Sequence, residues 1–208
     1  MARLVVVFFG LMGTGKTVHA KALSAALNLP VIHSDAVRKG LAGLAPTTPR
    51  PEAFGKGIYD EDFSRRTYAE MRRQAQEHLA AGRSVILDGS YKRAPERDLV
   101  RQLAREHEAA AVFVLCTCPL QVVKERLNRR TLNKEAISDG RTELLEAQAQ
   151  DFDPVAAADQ PLLELDTSRE EEVAAAELLK FITRQLKGEG EPHATGRSSG
   201  PGETESQG

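Results

Sequence analysis

No apolar stretch in the 208 residues approaches the ~20 that a bilayer span needs. The greasiest run, from Arg3 through Leu4 to Phe9, passes straight into glycines without a small-residue cleavage pattern, so neither a membrane anchor nor a leader is expected. The reading is a cytoplasmic protein. Charge of one dominant sign is missing as well: 28 basic and 30 acidic residues give a formal net charge of −2. There is thus no global field to hold a nucleic acid or an anionic membrane, and any polyanion must be met by a local arrangement. Cysteine is nearly absent. Cys116 and Cys118 stand one residue apart, a poor spacing for a disulfide, and a second pair that could complete a zinc site is lacking. They read as reduced thiols at a strand end. His19, His78, His107 and His193 have no partner spacing that suggests a metal and read as surface or helix-face residues. There is no internal repeat.

What the chain does contain is a regular alternation. Leu4 to Phe9 is a continuous apolar, β-branched run, the pattern of a strand covered on both faces. Helix signals run from Lys16 to Leu27 and stop at Asn28 and Pro30; Val31 to His33 is a short second strand. The segment from Ala42 to Tyr59 carries Pro46, Pro49, Pro51, Gly55 and Gly57 and reads as a mobile surface loop. A long amphipathic helix follows from about Asp60 to Ala81, closed by Gly82. Ser84 to Asp88 is a buried strand, and a helix starting at Pro95 reaches about Glu106. Ala110 to Leu115 is a fourth strand, Pro119 to Arg130 a helix, and Asn133 to Gly140 a polar connection. A short helix from Arg141 to Gln150, a strand from Leu162 to Asp166 and a helix from Arg169 to about Leu186 complete the series. Strands separated by helix-length segments predict an α/β fold: a five-stranded parallel sheet with helices on both faces, spanning residues 1–187 as one domain. From Gly188 the sequence has no large aliphatic or aromatic residue and is rich in Gly, Ser, Pro and Glu, so a disordered tail is expected over 188–208.

Three glycines, at 10, 13 and 15, forfeit stability unless bare backbone is wanted there. Gly10-x-x-x-x-Gly15-Lys16-Thr17 sits between a predicted buried strand and a predicted helix, the context of a phosphate-binding P-loop. In such a loop the backbone N–H groups of Gly10, Leu11, Met12, Gly13, Thr14, Gly15, Lys16, Thr17 and Val18 curl around phosphate oxygens, and the helix N-terminus adds its positive end. Lys16 then reaches the β- and γ-phosphates, and the Thr17 hydroxyl ligates Mg²⁺. Asp88 closes a buried strand and suits a carboxylate on the metal side of a nucleotide. It is followed by Gly89-Ser90-Tyr91 rather than by a glutamate that would activate water, which weakens a motor-ATPase reading. Leu115-Cys116-Thr117-Cys118 stands where a guanine-binding Asn-Lys-x-Asp element would be, so guanine specificity is not expected.

Two further clusters bear on what is done with the phosphate. Asp35 and Arg38 follow the second strand three residues apart, and a helix starting at Ser34 or Asp35 would put them on one face. A carboxylate beside a guanidinium at a strand tip suits proton removal from a hydroxyl while the cation holds an anionic part of the same substrate; helix capping and a local ion pair account for them equally well. Arg126 and Arg130, one turn apart with Arg129 between them, end a helix just before a polar segment; a solvated helix end or a set of lid arginines fits this pattern. Ser90, Tyr91, Lys92 and Arg97 follow the third strand as candidates to touch substrate, with helix capping at the Ala94-Pro95 start accounting for some of them equally well, and Asp166-Thr167-Ser168 stands where an adenine pocket would be lined.

Taken in order, the P-loop, Ser34-Asp35-x-x-Arg38, the Asp88 strand and Glu125-Arg126-Leu127-x-x-Arg130 resemble the small P-loop kinases. The likeness is strongest to the predicted-kinase group of the AAA-type ATP-binding family, often fused behind an aminoglycoside-phosphotransferase-like domain. The chain is also similar to the polynucleotide 5′-hydroxyl kinase domain of bacteriophage, to chloramphenicol phosphotransferase and to the zeta toxins. The resemblance spans about residues 3–170 and implies a three-layer P-loop NTPase fold with a helical lid over about 126–141. It implies ATP and Mg²⁺ as the nucleotide and metal, with Asp35 as general base and Arg38 and Ser90 on the acceptor. Lys16 and Arg130 would take part in transfer, with Arg126 and Arg130 on the nucleotide and Thr17 and Asp88 on the metal. The implied reaction moves the γ-phosphoryl group of ATP to a hydroxyl of a small molecule or a nucleic-acid 5′ end. A regulatory ATP-hydrolysing switch is the alternative class, and the sequence leaves the acceptor unnamed. No attached phosphotransferase-like domain is expected within these 208 residues.

Overall fold

The computed structural model describes residues 2–45, 58, 60–131 and 139–188, with the side chains of 130–131 and 139–144 left aside. The side chain of Arg130, most of the Pro/Gly-rich segment, the centre of the expected lid and the expected disordered tail therefore lie outside the described residues.

β1 (Arg3–Phe9) is the middle of the sheet because its sequence allows nothing else: Leu4 to Phe9 are fully buried. At ~1.5–3 kcal/mol per large apolar side chain removed from water, these six residues dominate the choice of register. Around it lie β2 (Val31–His33), β3 (Val85–Asp88), β4 (Ala109–Thr117) and β5 (Leu162–Asp166), all parallel, in the order β2-β3-β1-β4-β5. Period-two alternation along β1 sorts the two faces. Val5, Val7 and Phe9 pack with α3 (Glu61–Ala80) and α4 (Ala94–Glu106) through Met71, Ala75, Leu79 and Val100. Leu4, Val6 and Phe8 pack with α1 (Lys16–Leu27) and α7 (Glu171–Lys187) through Ala20, Leu23, Leu178 and Ile182. This is the expected three-layer arrangement, a parallel sheet wrapped on both faces.

The remaining helices are α2 (Ser34–Leu41), α5 (Leu120–Thr131) and α6 (Asp139–Gln150). Helix ends are set locally. Asp60 caps α3 by accepting the Phe63 N–H at 2.6 Å, and Gly82 follows the helix with φ +73°. Part of the expected polar connection before residue 141 is helical, since α6 starts at Asp139.

Strand order reverses at β1, so its carboxyl end is the topological switch point where open α/β sheets bind ligands. The tips of β2 and β3 lie to one side of the loop after β1, and those of β4 and β5 to the other. Among the described residues no helix is long and apolar enough to cross a membrane.

Candidate active site

The turn after β1 has the backbone that its glycines anticipate. Gly10, Gly13 and Gly15 have φ of +131°, +76° and +83°. A Cβ at Gly10 would stand 2.6 Å from the Cys116 carbonyl oxygen, and one at Gly13 would stand 2.8 Å from Val123 Cγ1. Conformation and space thus both demand glycine at these two positions. Thr14 tightens the turn by donating its hydroxyl to the Leu11 carbonyl at 2.8 Å, while Lys16 donates Nζ to the carbonyls of Gly10 (3.0 Å) and Leu11 (2.6 Å). The ammonium is held over the mouth of the loop, at the open N-terminus of α1. A concave set of N–H groups, a helix N-terminus and a lysine above them make a phosphate site.

On the β2–β3 side lies a cavity of about 470 Å³ that brings together Lys16, Thr17, Asp35, Arg38, Asp88 and Ser90. Six residues scattered over more than seventy positions converge because each follows a strand tip or opens the helix after one. Thr17 donates its hydroxyl to Asp88 Oδ2 at 2.6 Å, and His33 Nδ1 meets the same oxygen at 2.9 Å. The pairing follows from register: His33 is the β2 neighbour of Asp88, whose strand also lies beside β1. Hydroxyl and carboxylate oxygens are hard donors suited to Mg²⁺, which uses few protein ligands when phosphates supply the rest. Among the described residues there is no cluster of three or more His, Cys, Asp or Glu that would hold a metal unaided.

Asp35 is on the first turn of α2, more than half exposed to the cavity, with Lys39 Nζ one turn on at 2.8 Å. Arg38 lines the cavity too, yet it is 7% exposed and its Nη1 donates to the Ile58 carbonyl at 2.5 Å and to Ser64 Oγ at 3.2 Å. It shapes the wall as well as charging it. Ser90 shares a 2.8 Å hydrogen bond with the Tyr68 hydroxyl. Lys92 pairs with Asp151, and Arg93 Nη2 stands 2.5 Å from the same carboxylate; the Lys92 ammonium, above all, holds the Asp151 carboxyl below its ordinary range.

The β4–β5 side holds a second cavity, about 430 Å³, lined by Gly15, Val18, His19, Arg126, Thr167 and Arg169 among others. Arg126 donates to the Thr167 hydroxyl (3.1 Å) and carbonyl (2.5 Å), and that hydroxyl donates to the Thr14 carbonyl at 2.8 Å. The loop after β5 is thereby tied to both the P-loop and α5.

The structure corrects three expectations. Arg97 is not a substrate contact: it is fully buried, its Nε 3.1 Å from Asp159, with Arg101 sharing that carboxylate. Tyr91 is likewise fully buried, packed against Tyr68 with ring centroids 4.6 Å apart and the rings tilted by 47°. Both side chains turn into the core because the chain after β3 must fill the space between α3 and α4. His19 is not on a surface but 4% exposed, and that desolvation, ahead of opposing effects from Glu171 and Arg126, lowers its pKa.

Residues that the motifs did not single out also enter the acceptor-side cavity: His33, Tyr68 and Gln148. His33 had a signal, its place one step before Ser34-Asp35 at a strand tip. Gln148 had none, since its partner is a backbone N–H 136 residues away.

Residues 5–155 match the family model described as an AAA domain. The chain belongs to that family. Uncharacterized proteins of Mycobacterium tuberculosis and Mycobacterium bovis are 31% identical to it over 118 residues, 57% of this chain and 24% of theirs. The chain thus spans about a quarter of the length of the curated relatives it matches. Solved structures that share the fold include a putative kinase from Chloroflexus aurantiacus, with a TM-score of 0.68, 20% identity and coverage of 90% of this chain and 97% of the other. A gluconokinase from Sinorhizobium meliloti has a TM-score of 0.64 at 20% identity, covering 88% and 94%. A sugar kinase from Janibacter has a TM-score of 0.63 at 20% identity, covering 88% and 95%. The fold is that of the small P-loop kinases.

Proposed function

We propose that this AAA-domain chain is an ATP-dependent phosphotransferase whose acceptor is a hydroxyl group on a small polar molecule. The observation that carries the reading is that Asp35, exposed and paired with Lys39, lines the same cavity as Lys16, Thr17 and Asp88. A nucleotide-binding switch needs the last three and has no use for the first.

In this reading the P-loop N–H groups of Gly13 to Thr17 hold the phosphates, those of Gly10, Met12 and Val18 being taken by Ser90, Gln148 and Gly15; Lys16 balances charge on the γ-phosphoryl group, and Thr17 with Asp88 would hold Mg²⁺. A Mg²⁺ held there by Thr17 and Asp88 would offset the charge of the phosphates. Asp35 accepts the proton of the acceptor hydroxyl as its oxygen bonds to phosphorus and the bond from phosphorus to the β–γ bridging oxygen breaks, leaving ADP. Ser90 and Arg38 position the acceptor. Arg126 and the Thr167 loop hold the nucleotide from the other side, and Arg130 serves the lid. The walls of the cavity include serines, a tyrosine, a histidine and lysines, groups that hydrogen-bond hydroxyls and anions. Neighbours in fold titled sugar kinase and gluconokinase support a small hydroxylated acceptor.

The test is transfer of label from γ-labelled ATP to a panel of sugars, sugar acids, nucleosides, aminoglycosides and 5′-hydroxyl oligonucleotides. Label on a small polyol or sugar acid is the expected outcome. Label on the oligonucleotide would move the acceptor class to nucleic-acid ends. Phosphate released to water with no acceptor labelled would favour the regulatory switch.

A further inference from the structure

α6 sends one polar side chain into the phosphate loop. Gln148 is 8% exposed, and its Oε1 accepts the Met12 N–H at 2.7 Å. Because the partner is an N–H, the amide orientation is fixed: the oxygen faces the loop and the nitrogen faces away from it. Gln148 also lines the cavity that holds Lys16, Thr17, Asp35 and Asp88, and its Nε2 has no protein partner among the described residues. With its acceptor spent on the loop, the amide keeps two donors for the cavity it lines, where the acceptor oxygens of a ligand can take them. What belongs beside Met12, Lys16 and Thr17 is the terminal phosphate of a nucleotide, an anion rich in acceptors.

We propose that Gln148 recognises the transferable phosphoryl group, bracing the P-loop with its carbonyl and donating to a γ-phosphate oxygen with its amide N–H₂. Resting on the nucleotide reading above, this gives the helix after the lid a direct stake in telling ATP from ADP. α6 also carries the chain to Asp151, which pairs with Lys92 and Arg93 on the acceptor side. The same short stretch, 148–151, therefore touches the donor loop at one end and the acceptor wall at the other.

The discriminating variant is Gln148→Glu. Its carboxylate still accepts the Met12 N–H, so a bracing role survives, but both donors are lost and a negative charge faces the phosphate. Mg²⁺ complexes of ADP and of the β,γ-imido analogue of ATP are titrated calorimetrically into full-length wild type and variant. Affinity for the imido analogue falls about tenfold or more, while that for ADP changes by less than about twofold. Gln148→Leu loses donors and brace together and lowers affinity for both nucleotides, by more for the imido analogue, while chemical denaturation of both variants reports any folding defect. Equal losses for both nucleotides in Gln148→Glu, or no loss for either, overturn the proposal. If the wild type binds neither nucleotide, the nucleotide reading itself has failed.

Discussion

The two cavities flanking the P-loop are built from different chemistry. On the β2–β3 side two carboxylates, Asp35 and Asp88, face a set of cations and hydroxyls. On the β4–β5 side the lining is Arg126, Arg129 and Arg169 around Thr167, with Glu171 as its acid. The β4–β5 lining is thus dominated by guanidiniums with a single carboxylate, whereas the β2–β3 cavity combines two carboxylates with the P-loop lysine and hydroxyls. In the reading proposed above, the transferable phosphate and the acid meet in the β2–β3 cavity, and the arginines on the other side hold the rest of the nucleotide. Arg97 shows the contrast from below: a guanidinium in the same loop region, but fully buried against Asp159, contributes to architecture and not to either cavity.

Substitutions sharpen that division, with the largest effect on the acid. Asp35→Asn lowers kcat for transfer by about 10²–10⁴-fold, the usual share of a positioned base, as measured by label transfer. Removal of charge from the shared centre comes next: Lys16→Ala weakens both the affinity for ATP and the rate, each by roughly 10²-fold, read by calorimetry and label transfer. Arg97→Ala, in contrast, leaves Asp159 buried with part of its partner set gone. It costs about 3–5 kcal/mol in chemical denaturation, while ATP affinity per folded molecule is unchanged. Gly13→Ala sits at φ +76° with Val123 in the way, and about 1–3 kcal/mol of strain lowers Tm by several degrees.

The smallest effect is a pH dependence. Burial pushes the Cys116 thiol up to about 12. The unfolded thiol loses its proton near ~8.5, so stability is intact below that pH and declines as pH rises from there toward 12. Native-state alkylation at pH 8 should therefore label the half-buried Cys118 and spare Cys116. Equal labelling of both would show that the β4 tip opens.

How far the sequence could be read follows the same division between local and distant causes. The P-loop, the strands and the layer order were legible because they rest on spacing within a few residues: an apolar run of six, glycines at fixed offsets, turn signals between periods. Asp35 and Asp88 were legible as strand-tip acids. The hydrogen bond from His33 to Asp88 depends on β2 lying beside β3, a fact of register that spacing does not encode. Gln148 depends on the return of α6 across the P-loop, and nothing in its neighbourhood marks it. Arg97 and Tyr91 were misread because a polar residue after a strand looks alike whether it turns outward or is buried with a partner. His19 is on a helix face as expected, but on the buried side of α1 rather than at the surface.

The role of Asp35 as the reacting acid beside residues that hold the nucleotide is tested most directly by one variant measured in two ways. Asp35→Asn is assayed for ATP affinity by calorimetry and for label transfer from γ-labelled ATP to the best acceptor of the panel. The account predicts ATP affinity within about twofold of wild type together with transfer reduced at least about a hundredfold. Transfer that continues undiminished would contradict it, because the acid on the β2 tip would then have no part in the reaction.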